Sequence, residues 1–171
     1  MVPPLIDSAA RKGLVTSLFV MGFFGLSALG GAAGLLAMMS GVAGMVYVVR
    51  EQILRERESR ALSGRGVPGA ALASYGIAVS FFAALPVALV VYASLRFIWP
   101  DLIGKQMEAS VALLSAVPEY SALAVQMQSM LDKGQIPTAA DMMASVLTLM
   151  VFTGLCLGIL GAVFAKLLVR K

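Results

Sequence analysis

From Leu14 to Val49 the chain carries no charged residue. As one straight helix this stretch would run roughly 54 Å at about 1.5 Å per residue, against a bilayer hydrocarbon core of about 30 Å. It breaks most naturally at Gly30-Gly31-Ala32-Ala33-Gly34, because glycine accepts turn conformations that other residues resist. The pattern predicts a helix over 14–29 and a second over 33–62, with a charged cytoplasmic extension from 50. Both apolar parts are near the lower limit for a full crossing, so a re-entrant hairpin is the other geometry open to them. Arg11-Lys12, the apolar segment after them and Ala28-Leu29-Gly30 also have the form of a cleaved signal peptide. The apolar run continues for another span past that site, which favours two helices.

A second uncharged run, Val67–Leu95, ends at Arg96 and Phe97-Ile98-Trp99-Pro100. It predicts a helix over 68–98, with Tyr92 and Trp99 suited to a membrane–water boundary and Pro86 expected to kink it. The last run follows Gln135-Ile136-Pro137 and predicts a helix over 138–169. Thr138 and Asp141 supply its start, because hydroxyl and carboxylate can meet the free backbone N–H groups. Between the third and fourth helices, over 100–137, Ile103, Met107, Val111 and Leu114 recur at helical spacing, as do Tyr120, Leu123, Met127 and Met130. Pro118 divides these two stripes. They read as amphipathic helices on the membrane surface or capping the bundle. A methionine-rich face suits varied partners, although packing against the protein's own helices is the commoner outcome.

Composition sharpens the class. The 171 residues are 60% hydrophobic and 13% charged, whereas soluble domains carry about 25% charged residues. An ordinary soluble enzyme, a disordered tail and a fibrous repeat are excluded. The expected fold class is an all-α integral membrane protein: a four-transmembrane-helix bundle with an extracytoplasmic amphipathic helical segment, as a single membrane domain over 1–171. Arg11, Lys12, Arg50, Arg55, Arg57, Arg60, Arg65, Lys166, Arg170 and Lys171 fall on one side of this topology, and Arg96, Lys105 and Lys133 on the other. Cytoplasmic flanks are enriched in Lys and Arg, so both termini are expected to be cytoplasmic. The net charge of +4 then reads as a topology signal and not as a footprint for nucleic acid. Glu51 with Arg55 and Glu56 with Arg60 stand four apart in the favourable order, which predicts a solvated, salt-bridged stalk ending at Ser63-Gly64-Arg65-Gly66-Val67-Pro68-Gly69. Arginines beside a membrane also attract anionic lipid, a pull that interleaved glutamates weaken.

The chain contains no histidine, so the side chain best suited to acid–base work near neutral pH is missing, with the metal sites it would serve. No catalytic residue, metal site or cofactor is expected. Cys156, alone in an apolar run, reads as a small buried hydrophobe. No ionisable residue falls mid-span, which argues against a proton-coupled transporter or pump. Ser74, Ser80, Ser145, Thr148 and Thr153 could line a pore, but single hydroxyls in such helices more often bond to a carbonyl one turn back. Asp101, Glu108, Glu119 and Asp141 have neither a histidine partner nor ligand spacing, so a lipid-modifying enzyme ranks last. Small residues mark contact faces between helices in lipid. The packing candidates are Gly154, Gly158 and Ala162, with Gly161 and Ala165 beside them, on the last helix. Ala37 and Gly41, with Ala33 and Gly44, are the candidates on the second. Ser80 and Ala84, with Ala88, are those on the third. A compact bundle or an interface with another subunit would each use them.

Lys12-Gly13-Leu14, Tyr47 with Arg50-Glu51, Gly69, Tyr75-Gly76, Trp99-Pro100-Asp101, the glycines 154, 158 and 161, and the closing Arg170-Lys171 form a layout spread over nearly the whole chain. It resembles the bacterial membrane-protein family called domain of unknown function 4199. The resemblance implies a small four-helix protein of the bacterial inner membrane, with no activity to carry over. The expected role is a non-enzymatic accessory or scaffold subunit in contact with the lipid bilayer, joined to further copies or to another membrane protein. The alternative is a small oligomeric channel or transporter.

Overall fold

The computed structural model describes residues 5–29 and 33–169. The described chain is helical, with no strand among the described residues. Among the described residues the six α-helices are α1 (Leu5–Leu29), α2 (Ala33–Ser63), α3 (Gly69–Ala93), α4 (Leu102–Ser115), α5 (Ser121–Asp132) and α6 (Ala139–Leu168). The chain forms two compact units, Met1–Ala88 with Val146–Lys171, and Leu89–Ser145. Among the described residues four helices (α1, α2, α6, and α3 with the turn after it) are long and apolar enough to cross a membrane. The glycine-rich break at 30–32 and the closing Arg170-Lys171 lie outside the described residues.

The first helix differs from its expected bounds. It begins at Leu5 and not at residue 14, because the Asp7–Arg11 pair, 3.4 Å apart at i,i+4 spacing, extends a helical pattern that the apolar run alone does not reveal. At about 1.5 Å per residue α1 is about 37 Å long, longer than the hydrocarbon core. The second helix ends where Gly64, at φ +68°, takes the left-handed cap conformation and its N–H bonds to the Arg60 carbonyl at 2.9 Å. The third runs unbroken through Pro86 and closes in a π-helical turn at Ser94–Ile98, where the Trp99 N–H reaches the Ser94 carbonyl at 2.8 Å. The α6 start is the reciprocal cap expected: the Thr138 N–H donates to Asp141 Oδ2 at 2.8 Å, and the Asp141 N–H to Thr138 Oγ1 at 3.2 Å.

In the first unit, contacts fix the helix directions. Phe19 meets Gly44 and Phe23 meets Gly41, so α1 and α2 are antiparallel. Gln52 reaches Leu72 while Val48 packs with Val79, so α2 and α3 are antiparallel too. Ser80 abuts Gly154 and Ala73 abuts Gly158, which makes α3 and α6 antiparallel. Two apolar clusters result. Ala9, Val48, Tyr75 and Val79 join α1, α2 and α3; Leu72, Ala162 and Ala165, with Ile53, join α2, α3 and α6. The interior is built largely from small residues, among them Ala9, Ala37, Ala83, Ala84, Ala88, Ala162 and Ala165. Large apolar side chains point outward, as Leu35, Met39, Val46, Phe152, Leu160 and Phe164 do. A water-soluble core has the opposite arrangement, since burying large side chains is what drives it together.

In the second unit, α4 and α5 pack on each other across a short 3₁₀ turn at Pro118–Tyr120. The α4 stripe Ile103, Met107, Val111 and Leu114 is half-buried, as its spacing predicts. The α5 contact face is displaced from the expected one: Ala124 is buried and Met127 and Met130 half-buried, while Tyr120 and Leu123 are exposed. A small residue at 124 lets the two helices approach there, and bulkier Leu123 turns out.

Candidate functional site

The packing candidates fall largely inside the chain. Gly154, Gly158 and Ala162 are buried, as are Ala37, Ser80 and Ala84; Gly41 is half-buried. The structure brings two of the separately chosen faces together: a Cβ on Gly154 would overlap the Ser80 side chain, and one on Gly158 would stand 2.8 Å from the Ala73 carbonyl oxygen. These glycines therefore admit a neighbouring helix at a distance no larger residue allows. Gly13, chosen for no packing role above, does the same for α1 against Phe82 and the Val79 carbonyl.

A buried polar column stands at one end of this unit, and its middle member escapes a reading by charge alone. Gln52 is fully buried on α2. Its Nε2 donates to the Leu72 carbonyl at 3.0 Å and to the Gly158 carbonyl at 2.9 Å, tying α2 to both α3 and α6. Both partners are acceptors, so the amide nitrogen and not the oxygen must face them. Side chains at 76 and 161 would overlap the Gln52 amide, so Gly76 and Gly161 form its socket together with Gly158. Its Oε1 takes no hydrogen bond among the described residues and lies against Gly161, a contact of the weak Cα–H···O kind.

One turn further along α2, Glu56 is fully buried. Its Oε1 accepts from Arg60 Nε at 2.8 Å and Lys166 Nζ at 2.9 Å, and its Oε2 from the Val67 N–H at 2.8 Å. Lys166 donates to the Val67 carbonyl as well. One carboxylate thus clamps α2, the α2–α3 link and the end of α6. Glu51 is also buried, but it pairs with Lys12 of α1 at 3.0 Å and not with Arg55. Arg55 instead lies over the Tyr75 ring, 4.4 Å from its centre, a cation–π contact, and the Tyr75 hydroxyl is 3.3 Å from that of Ser8. The solvated stalk is therefore corrected. The extension from residue 50 is solvated on one side only, because Glu51 and Glu56 turn inward to Lys12 and Lys166 of other helices; the expected Glu56–Arg60 pair forms, and Glu58 stays exposed.

The spacing Gly44, Val48, Gln52, Glu56 on one α2 face is the signal that could have exposed this. A polar residue that continues an inward-facing row at i,i+4 has to find a buried partner. Of the residues that carried the family resemblance, Gly76, Gly158 and Gly161 surround the Gln52 amide, while Lys12 pairs with Glu51 and Tyr75 takes Arg55 on its ring.

One turn from Gln52, away from Glu56, lies a half-open cavity of about 170 Å³. Val20, Phe23 and Phe24 of α1, Gly41, Gly44 and Val48 of α2, Ala83 of α3 and Leu149, Gly154 and Leu157 of α6 contribute to its wall. Thr16, Ser80 and Thr153 add hydroxyls, and no ionisable side chain lines it. The Thr16 hydroxyl is already spent on the Lys12 carbonyl at 2.9 Å. The other hydroxyls raised as pore candidates do not gather there. Asp101, Glu108, Glu119 and Asp141 are all exposed. Cys156 is exposed as well, because α6 presents its glycine face inward and turns Phe152, Leu155, Cys156 and Ile159 out; the expectation of a buried thiol is overturned.

Comparison with protein-family models, with curated proteins and with solved structures finds no match. The likeness to the four-helix family accordingly rests on the residues named for it.

Proposed function

We propose that this chain is an integral membrane protein that crosses the bilayer four times and serves as a non-enzymatic accessory or scaffold subunit. Both termini and the α2–α3 link face the cytoplasm, and α4 and α5 lie on the other side. A bacterial inner membrane is the location that fits the resemblance. The observation that carries this reading is the inverted arrangement of the first unit, with alanine and glycine inside and leucine, methionine and phenylalanine outside. Large apolar patches on that scale are covered in a working protein, and lipid covers them without cost while small inward residues let the helices pack. The gathering of Lys12, Arg50, Arg55, Arg60 and Lys166 at the polar-column end agrees with the charge bias of a cytoplasmic face. Reporter fusions at residues 60 and 120 test the topology: opposite compartments are expected, and a shared compartment ends the reading. Extraction in mild detergent followed by native mass analysis tests the role, which predicts a complex with further copies or another membrane protein. A strictly monomeric species would count against it.

The cavity favours a second reading, a small transporter or oligomeric channel, because it opens a space within the helices just beyond the Gln52 contacts. Flux of ions and small solutes into liposomes holding the purified protein decides it. No leak or uptake removes its support.

A further inference from the structure

Beyond the membrane reading, and resting on it, we infer that the outward face of the α2 extension is a docking surface for the anionic headgroups of phospholipids, with Arg50 and Arg57 as its centre. By sequence the charges from residue 50 to 60 interleave, four arginines with three glutamates, and leave a net charge of only +1. In the fold they are sorted by face. Glu51 and Glu56 are 6% and 0% exposed, and their oxygens are taken by Lys12, Arg60, Lys166 and the Val67 N–H.

Arg50 and Arg57 are exposed on the side away from Gln52 and Glu56. Seven residues is two turns, so they share that side about 10 Å apart along the axis. Glu51 is the acid nearest Arg50, at 3.9 Å, and its carboxylate is held by Lys12 at 3.0 Å. The exposed Glu58 is the one acid on the outer surface of this extension, against exposed Arg50, Arg57 and, in the link, Arg65.

What precedes Arg50 identifies the occupant. Met39 and Val46 lie on the same side of α2 and are 68% and 60% exposed; the row then turns cationic at Arg50, directly after the uncharged run ends at Val49. An apolar surface that becomes basic in one turn complements a lipid whose acyl chains end in a phosphate. Arg57 stands within about a Debye length of that level, close enough to add to the attraction. The α4–α5 connection offers no such sorting: Lys105 and Lys133 are exposed among exposed Asp101, Glu108, Glu119 and Asp132.

The test uses the full chain, purified in mild detergent from vesicles of phosphatidylcholine with phosphatidylglycerol as the anionic probe, and counts retained lipid by native mass spectrometry. The wild type is expected to retain phosphatidylglycerol about tenfold over phosphatidylcholine, a preference that falls as salt rises. Arg50→Gln with Arg57→Gln should remove most of it, Arg50→Lys with Arg57→Lys should keep it, and Lys105→Gln with Lys133→Gln should leave it unchanged. Equal retention of the two lipids by the wild type, or an undiminished preference in the double glutamine variant, overturns the inference. Carbonate washing of the vesicles separates the two failures. A chain that washes off defeats the membrane reading, whereas one that stays embedded without lipid preference defeats only the headgroup site.

Discussion

Around Gln52 and Glu56 the helices of the first unit are joined by directional contacts; around Gly41, Gly44 and Gly154 they are joined mainly by closeness. At the polar end, one amide reaches two helix carbonyls and one carboxylate collects two cationic side chains and a backbone N–H. A slip by one residue in any of those helices would strand a buried polar group, and such groups are costly when unmet. At the other end the contacts are Phe23 on Gly41, Phe19 on Gly44 and Ser80 on Gly154, with the Ser40 hydroxyl donating to the Phe19 carbonyl at 2.6 Å. Smooth surfaces of that kind tolerate small displacements, and that is where the cavity lies. The polar end sets register; the apolar end leaves room.

Substitutions can break this contrast, and the largest effect belongs to Gly158, which serves both regions. Gly158→Leu would drive a side chain into Ile77 and the Ala73 carbonyl, and a loss of about 3 kcal/mol should appear as a collapse of the thermal midpoint in detergent. Next, Lys166→Met leaves the buried Glu56 with Arg60 and the Val67 N–H alone. We expect a loss of about 1–3 kcal/mol, partly recovered in Lys166→Arg, by the same melting measurement.

Gln52→Leu keeps the volume and removes both carbonyl contacts. Hydrogen bonds between helices in lipid contribute modestly, so about 1 kcal/mol is expected, and cysteine cross-linking between α2 and α6 should become less specific in register. Thr153→Val in the cavity wall is the smallest change, within about 0.5 kcal/mol. Should it cost as much as Gln52→Leu, the two regions would not differ in the way described.

Much of this was legible beforehand. The uncharged runs marked the four long helices, and Thr138 with Asp141 marked the α6 start, because both signals are local in sequence. Gly154 and Ser80 were each recognisable as contact residues; that they touch each other was not. Of the charged residues after Val49, Glu56 and Arg60 make the pair their spacing predicts, whereas Glu51 misled for a definite reason. Spacing of four suggests a pair on one helix surface, but Glu51 had a better partner in Lys12, thirty-nine positions earlier in the chain. Cys156 misled in the same way, since an apolar run does not say which of its faces looks inward.

Polarity along the chain determined by itself how many long apolar helices there are, where their apolar parts run, and which end of them is basic. Hydrophobicity and capping act through neighbours within a turn or two, so one dimension suffices to read them. Which glutamate meets which lysine, which carbonyls Gln52 finds and which side of α2 is left cationic depended on helix rotation and pairing. Those are settled only when several elements compete for the same buried space, and no local pattern holds that information.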